Sequence, residues 1–175
     1  MPGATFLTQL AARDRALFTR CLVDPAAPRS RRMAWTGITH QGGVSCSVLA
    51  ATIPLSLGGA IGDAARHTLS ILILSHLVVQ LVKRTVTRPR PSNVLDCATL
   101  VREPDHFSFP SGHSAAAMAV AFGYAMAFPS LALPLVIVAF LVGASRVVLG
   151  VHYAGDVLVG QLIAVLAGLV VRAIA

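Results

Sequence analysis

Apolar residues gather along this chain into long runs separated by short polar breaks. Lipid offers a backbone no hydrogen-bond partner, so a segment that spans about 30 Å of hydrocarbon must be a helix of about 20 mostly apolar residues. Five runs reach or approach that length, at residues 44–61, 67–82, 113–128, 131–149 and 157–174. The second and third are short for a full crossing, and their helices are expected to extend into the flanking loops. Residues 4–23 differ: Phe6, Leu7, Leu10, Leu17, Phe18, Cys21 and Leu22 recur near helical spacing, while Arg13, Asp14, Arg15 and Arg20 interrupt the run. That pattern predicts an amphipathic helix lying in the membrane interface. It lacks the uninterrupted apolar stretch and small-residue cleavage site of a secretory signal. The segment "DPAAPRSRR" follows as a polar hinge, its two prolines ending any helix before the first span. The expected fold is all-α: an integral membrane helical bundle of five to six helices with an N-terminal amphipathic helix, forming one membrane-embedded domain over residues 1–175.

Composition agrees with that pattern. Of the 175 residues, 55% are hydrophobic and 12% charged, whereas an ordinary soluble domain is about a quarter charged. No internal repeat, low-complexity tract or separate soluble domain interrupts the chain. Cys21, Cys46 and Cys97 are odd in number and unpaired in spacing, which excludes a disulfide framework and a zinc pattern. The formal charge of +7 would suggest nucleic acid in a soluble protein, but here the basic residues fall in two clusters and no nucleic-acid partner is expected. The first cluster, Arg13, Arg15, Arg20, Arg29, Arg31 and Arg32, suits anionic lipid headgroups and topology signalling. Nothing in the pattern specifies an oligomeric state.

The second cluster lies in "LVKRTVTRPRPS", where Lys83, Arg84, Arg88 and Arg90 open a loop over residues 83–112. Pro89 and Pro91 hold Arg90 in extended backbone. A fixed guanidinium and an ammonium at a membrane surface suit a phosphate, Arg through its planar fork of donors and Lys as a point charge. A second motif, "FPSGHSAAAMAV", predicts a turn at residues 110–112, with Ser111 in the helix-capping position and His113 in the first helical turn, where free backbone N–H groups favour an anion. A third, "ASRVVLGVHYAGDVLVG", places Asp156 four residues beyond His152, so that on a helix the two would share a face. The carboxylate would then fix the imidazole tautomer and leave the other ring nitrogen as nucleophile or base. Ionisable groups at a membrane edge are costly and functional by default.

If the third span leaves the 83–112 loop and the fourth returns, Arg146, His152 and Asp156 emerge beside Lys83, Arg90 and His113. One cationic pocket with two histidines results, a set suited to phosphoryl transfer: one imidazole attacks phosphorus, cations neutralise the oxygens, and the other imidazole protonates the leaving group. Asp96, Glu103 and Asp105 are scattered and outnumbered by cations, so neither a metal nor another cofactor is expected. The residues alone leave open which histidine attacks.

Lys83, six residues, then Arg90-Pro91; "PSGH" at residues 110–113; and Ser145-Arg146, five residues, His152, three residues, Asp156: in this order and spacing the three pieces resemble the signature of the type 2 phosphatidic acid phosphatase superfamily. The resemblance implies that Lys83, Arg90 and Arg146 bind phosphate, with hydrogen bonds from Ser111 and Gly112. It implies that His152 is the nucleophile, forming a phosphohistidine, that Asp156 orients it, and that His113 is the general acid. It also implies a lipid phosphate substrate held at the bilayer surface: a polyprenyl phosphate or diphosphate such as undecaprenyl diphosphate, phosphatidylglycerol phosphate or phosphatidic acid, with an isoprenoid favoured. The expected location is a bacterial inner (plasma) membrane. The rival reading is a non-catalytic lipid-phosphate-binding scaffold or transporter subunit, which would not require the His152–Asp156 pair and would place polar groups at mid-membrane. Only His67, Ser75 and His76 in the second span hint at such a path.

Overall fold

The computed structural model describes residues 6–95, 97–103 and 105–174. The expected helix start at residue 4, and Asp96, lie outside the described residues. Among those described there are eight α-helices and no strands: α1 (Phe6–Cys21), α2 (Arg29–His40), α3 (Val44–Thr52), α4 (Gly59–Val86), α5 (Pro91–Val94), α6 (Gly112–Ala127), α7 (Ala132–Val148) and α8 (Ala154–Ile174).

The count exceeds the expected five to six for local reasons. Helix α2 begins immediately after Pro28, so the polar hinge is shorter than the prolines had implied; proline stops a helix running through it but is tolerated just before one. Residues 44–61 do not form one span. Helix α3 has nine residues, passes into a 3-10 turn over Ile53–Leu57 that contains Pro54, and stops at Gly58, whose φ is +63°. Lys83 was expected in a loop, but α4 runs on to Val86 and closes at Thr87 in the left-handed region, leaving Lys83 in the last helical turn. Among the described residues, three helical segments are long and apolar enough to cross a membrane: Gly59–Val86, Pro129–Val148 and Ala154–Ile174.

Helix α6 is the centre of the bundle, with α3, α4, α7 and α8 packed around it. Its buried residues are mostly small, and Ala117, Ala119 and Ala121 with Met118 share a core with Ile71 and Leu72 of α4, Ala139 and Val142 of α7, and Ala164 and Ala167 of α8. Small side chains at helix contacts let backbones approach closely, which is how helices associate where lipid removes the hydrophobic drive. Many large apolar residues face outward: Ile73, Leu77 and Leu81 on α4, Leu133, Ile137 and Phe140 on α7, and Leu158, Leu162, Leu166 and Leu169 on α8. A surface this apolar over three long helices requires hydrocarbon around it. The protein is an integral membrane helical bundle.

The C-terminal ends of α4 and α7 and the N-terminal ends of α6 and α8 meet at one end of the bundle. There Ser111 N–H donates to the Asp156 carbonyl at 2.9 Å, and Val23 N–H donates to the Val148 carbonyl at 3.0 Å. Helix α1 docks at this same end, with Phe18 fully buried and its ring 5.5 Å from that of Tyr153.

Candidate active site

Lys83, Arg90, Gly112, His113, Arg146, His152 and Asp156 converge at one end of the bundle, whereas Arg84 is exposed, Arg88 lines a separate groove and Ser111 is buried in the turn without lining the cavity. Lys83, Asp105, Gly112, His113 and His152 line one cavity of about 280 Å³ together with Gly42, Val44, His76, Gln80 and Ala116. Arg90 and Arg146 stand behind its wall, 0% and 1% exposed, among the largest fully buried side chains of the protein. Burying a charge is costly unless it is paired or hydrogen-bonded, so each partner is informative.

Arg90 leaves the chain between Pro89 and Pro91 in extended backbone, as expected. Its Nη1 donates to the Val151 carbonyl at 2.8 Å and lies 3.4 Å from His152 Nε2. Its Nε and Nη2 donate to the backbone carbonyl and Oδ1 of Asp105, at 2.7 and 2.8 Å. Lys83 Nζ donates to both carboxylate oxygens of Asp105, at 3.0 and 2.8 Å, and to the Phe107 carbonyl at 3.1 Å. Burial alone would raise the Asp105 pKa, but the Lys83 and Arg90 donors and charges outweigh it and hold the carboxyl below its ordinary value. Arg146 Nη1 donates to Thr39 Oγ1 of α2 at 2.7 Å. Its Nε and Nη2 are buried with no acceptor among the described residues, a condition that costs about 1–3 kcal/mol per donor unless something accepts from it.

Ser111 caps α6 as expected. Its Oγ accepts from Ser114 N–H at 3.5 Å and from Ser114 Oγ at 2.9 Å. The turn is seated on α8 at Gly160, where a Cβ would fall 2.4 Å from the Ser111 carbonyl oxygen. His152 and Asp156 meet, though not as two positions on one helix. His152 precedes α8, and Asp156 sits in its first turn. Asp156 Oδ2 accepts from Tyr153 N–H at 2.9 Å and lies 3.5 Å from His152 Nδ1. The second distance is a long approach rather than a formed hydrogen bond, and Nδ1 has no other partner; such contacts commonly tighten only when substrate is present. Burial pushes the His152 pKa down to about 4, with the Arg146 and Arg90 charges reinforcing the shift and the Asp156 carboxylate opposing it. At neutral pH the ring therefore carries a free lone pair, and Nε2 is the nitrogen turned toward Arg90.

The arrangement holds a buried imidazole with a carboxylate beside it, a second imidazole and three cations within one small space. The sequence profile of the PAP2 superfamily matches residues 64–175, which contain every one of these groups. This chain belongs to the PAP2 superfamily. Its similar relatives include decaprenylphosphoryl-5-phosphoribose phosphatase of Mycobacterium tuberculosis (strain ATCC 25618 / H37Rv), 38% identical over 103 residues, 58% of this chain and 55% of that protein. Phosphatidylglycerophosphatase B of Bacillus subtilis (strain 168) is 34% identical over 146 residues, 71% of this chain and 66% of that protein. The chain spans about half the length of the first of these relatives. Among solved structures, the transmembrane PAP2 type phosphatidylglycerolphosphate phosphatase from Bacillus subtilis matches with a TM-score of 0.76 and 27% identity, over 95% of this chain and 86% of that one. Aquifex aeolicus LpxE matches with a TM-score of 0.77 and 26% identity, over 90% of this chain and 93% of that one.

Several residues of this PAP2-superfamily site carried no signal of their own in the sequence. Asp105 was noted there only as a metal-ligand candidate, whereas it pairs with Lys83 and Arg90. Thr39 lies 107 positions from Arg146, and no local pattern joins the two. Gly42 admits the α2–α3 turn against α6, since a Cβ there would fall 2.6 Å from the His113 carbonyl oxygen. The "QGG" of residues 41–43 was the available signal, because paired glycines mark a tight turn.

Proposed function

We propose that the chain is a metal-independent lipid phosphate phosphatase of a bacterial plasma membrane, acting on an isoprenoid or glycerophospholipid phosphate or diphosphate through a phosphohistidine. One observation carries this reading: Lys83, His113 and His152 line a single cavity, with Arg90 and Arg146 buried at its back. A binding scaffold would need the cations but not a deprotonated imidazole backed by a buried carboxylate.

In this reading the substrate phosphate enters the cationic end. Arg146 Nε and Nη2, which have no acceptor among the described residues, take two of its oxygens, and Lys83, Arg90 and the α6 N-terminus take the rest. His152 Nε2 attacks phosphorus, an N–P bond forms and the P–O bond to the leaving group breaks. His113 gives its proton to the departing oxygen. Asp156 stabilises the positive ring through Nδ1–H. Water then attacks the phosphohistidine, His113 takes the proton from that water, and inorganic phosphate leaves. The cavity wall continues from Lys83 along α4 past Gln80 and His76, so a lipid with its phosphate at Lys83 has room for the adjoining part of the molecule within the bundle. The names of the relatives, phosphatases of polyprenyl and glycerol phospholipids, support the substrate class.

The test is phosphate release from a polyprenyl diphosphate and from phosphatidylglycerol phosphate in detergent, with chelator present. Wild type should release phosphate, and His152→Ala should lose at least about a thousandfold in kcat. Equal release by the two proteins would contradict the reading, and release abolished by chelator would contradict its metal-free part.

A further inference from the structure

Asp156 is wholly buried, and its second oxygen does not face the cavity. Oδ1 accepts from Arg88 Nη1 at 2.7 Å. The same guanidinium donates through Nη2 to Asp14 Oδ2 of α1 at 2.9 Å and lies 4.1 Å over the Tyr153 ring. Asp14 Oδ1 in turn accepts from Gly155 N–H at 2.8 Å, in the first turn of α8. Glycine is what admits this approach, because a Cβ at residue 155 would fall 2.9 Å from Asp14 Oδ2. Arg88 lines a groove on the far side of α8 with Asp14, Thr87 and Gly155, not the cavity that holds His152. It cannot be counted with the cations that meet the phosphate.

We infer that Arg88, clamped by Asp14, is a positioning residue for the His152–Asp156 pair, and that α1 is thereby part of the catalytic apparatus as well as a membrane-surface helix. The inference rests on the phosphatase reading. Its physical basis is the planar fork of arginine: with one nitrogen on each carboxylate and its face on Tyr153, the guanidinium has one orientation, and it fixes the rotamer of Asp156 with Oδ2 toward Nδ1. It also supplies the counter-charge that a buried carboxylate needs in order to stay ionised. When phosphorus bonds to Nε2 the ring becomes positive, and an Asp156 held in place is what stabilises it.

The experiment measures kcat and KM for a polyprenyl phosphate in detergent micelles, using the full chain as wild type, His152→Ala, Arg88→Gln, Arg88→Lys, Asp14→Asn, Asp156→Asn and the double variant Arg88→Gln/Asp156→Asn. Arg88→Gln should lower kcat by about 10- to 100-fold, the usual cost of losing a partner that orients a functional histidine, with KM within about twofold because the phosphate cations are intact. Asp14→Asn should lower kcat less, and Arg88→Lys should recover part of the loss. The double variant should be no slower than Asp156→Asn alone, because Arg88 acts only through that carboxylate. Losses that multiply in the double variant, or a raised KM with unchanged kcat, would overturn the inference. So would wild-type kcat in Arg88→Gln while His152→Ala is dead. If wild type and His152→Ala release phosphate equally, the phosphatase reading itself falls, and the inference with it. Should Arg88→Gln not survive purification, Asp14→Asn and Arg88→Lys carry the same comparison, and wild-type kcat in both would overturn it.

Discussion

Asp105 sits where a substrate would have to bind. Its two oxygens take Lys83 Nζ, and one of them also takes Arg90 Nη2, so a carboxylate occupies the donors that the proposed mechanism assigns to phosphate. Two anions cannot share them without repulsion, and the substrate must displace the side chain or crowd it aside. Asp105→Asn should therefore let inorganic phosphate inhibit turnover at several-fold lower concentration. Unchanged or weaker inhibition would show that Lys83 and Arg90 are not phosphate ligands. The sign of the pH effect follows from the lowered pKa. The folded value lies below the ordinary 3.8, so the stabilisation from these pairs is complete above that pH and is lost as pH falls through the folded value. Wild-type thermal stability should drop more steeply than that of Asp105→Asn only in that acid range. The eight candidate residues could be picked out from the sequence because ionisable or turn-forming side chains have few uses beside a membrane span. Asp105 and Arg88 were visible too, but their separate tasks were not. Arg88 looks like any phosphate-binding arginine until Asp14, 74 positions away, is placed against it.

Helix junctions, more than helix interiors, set the site. The turn before α6 and the start of α8 are joined by the bond from Ser111 N–H to the Asp156 carbonyl and by the bare backbone of Gly160 beneath it. A methyl at Gly160 has no flexible neighbour to push away, only the carbonyl of the cap. Gly160→Ala should cost about 1–3 kcal/mol of stability, the range for overpacking a close contact, and should lower kcat by moving His113 relative to His152. A thermal-unfolding midpoint and kcat both at wild-type values would show that the turn is not held by α8. At this scale the apolar runs located α6, α7 and α8 to within three residues at each end, but α4 begins eight residues before its run, and α6, at 16 residues, does not extend into its flanking loops as expected. The runs failed at residues 44–61, where hydropathy sums over Pro54 and Gly58 without registering that these residues end a helix. Helix α2 escaped notice because its first turn is nearly all arginine and resembles a linker in composition.

Across the molecule, many leucines and isoleucines face outward, and Arg90, Arg146, His152 and Asp156 are buried beside an apolar core of mostly small residues, a distribution unlike that of a soluble protein. Only a bilayer around the helices and an anion within the site make that distribution economical. All-α membrane architecture was readable from hydropathy, since long apolar runs admit no other covering. The docking of α1 against α7 and α8 was not, since amphipathicity shows that a helix has two faces but not what the apolar one meets. Every part of the proposed function depends on His152 Nε2 being the atom that takes the phosphoryl group. The direct measurement is rapid quenching of the full chain during turnover of a polyprenyl diphosphate into alkali, where phosphohistidine survives, followed by mass spectrometry of the peptides. Phosphate on His152 in wild type and none in His152→Ala is the predicted result. Phosphate on His113, or turnover that persists undiminished in His152→Ala, would contradict it.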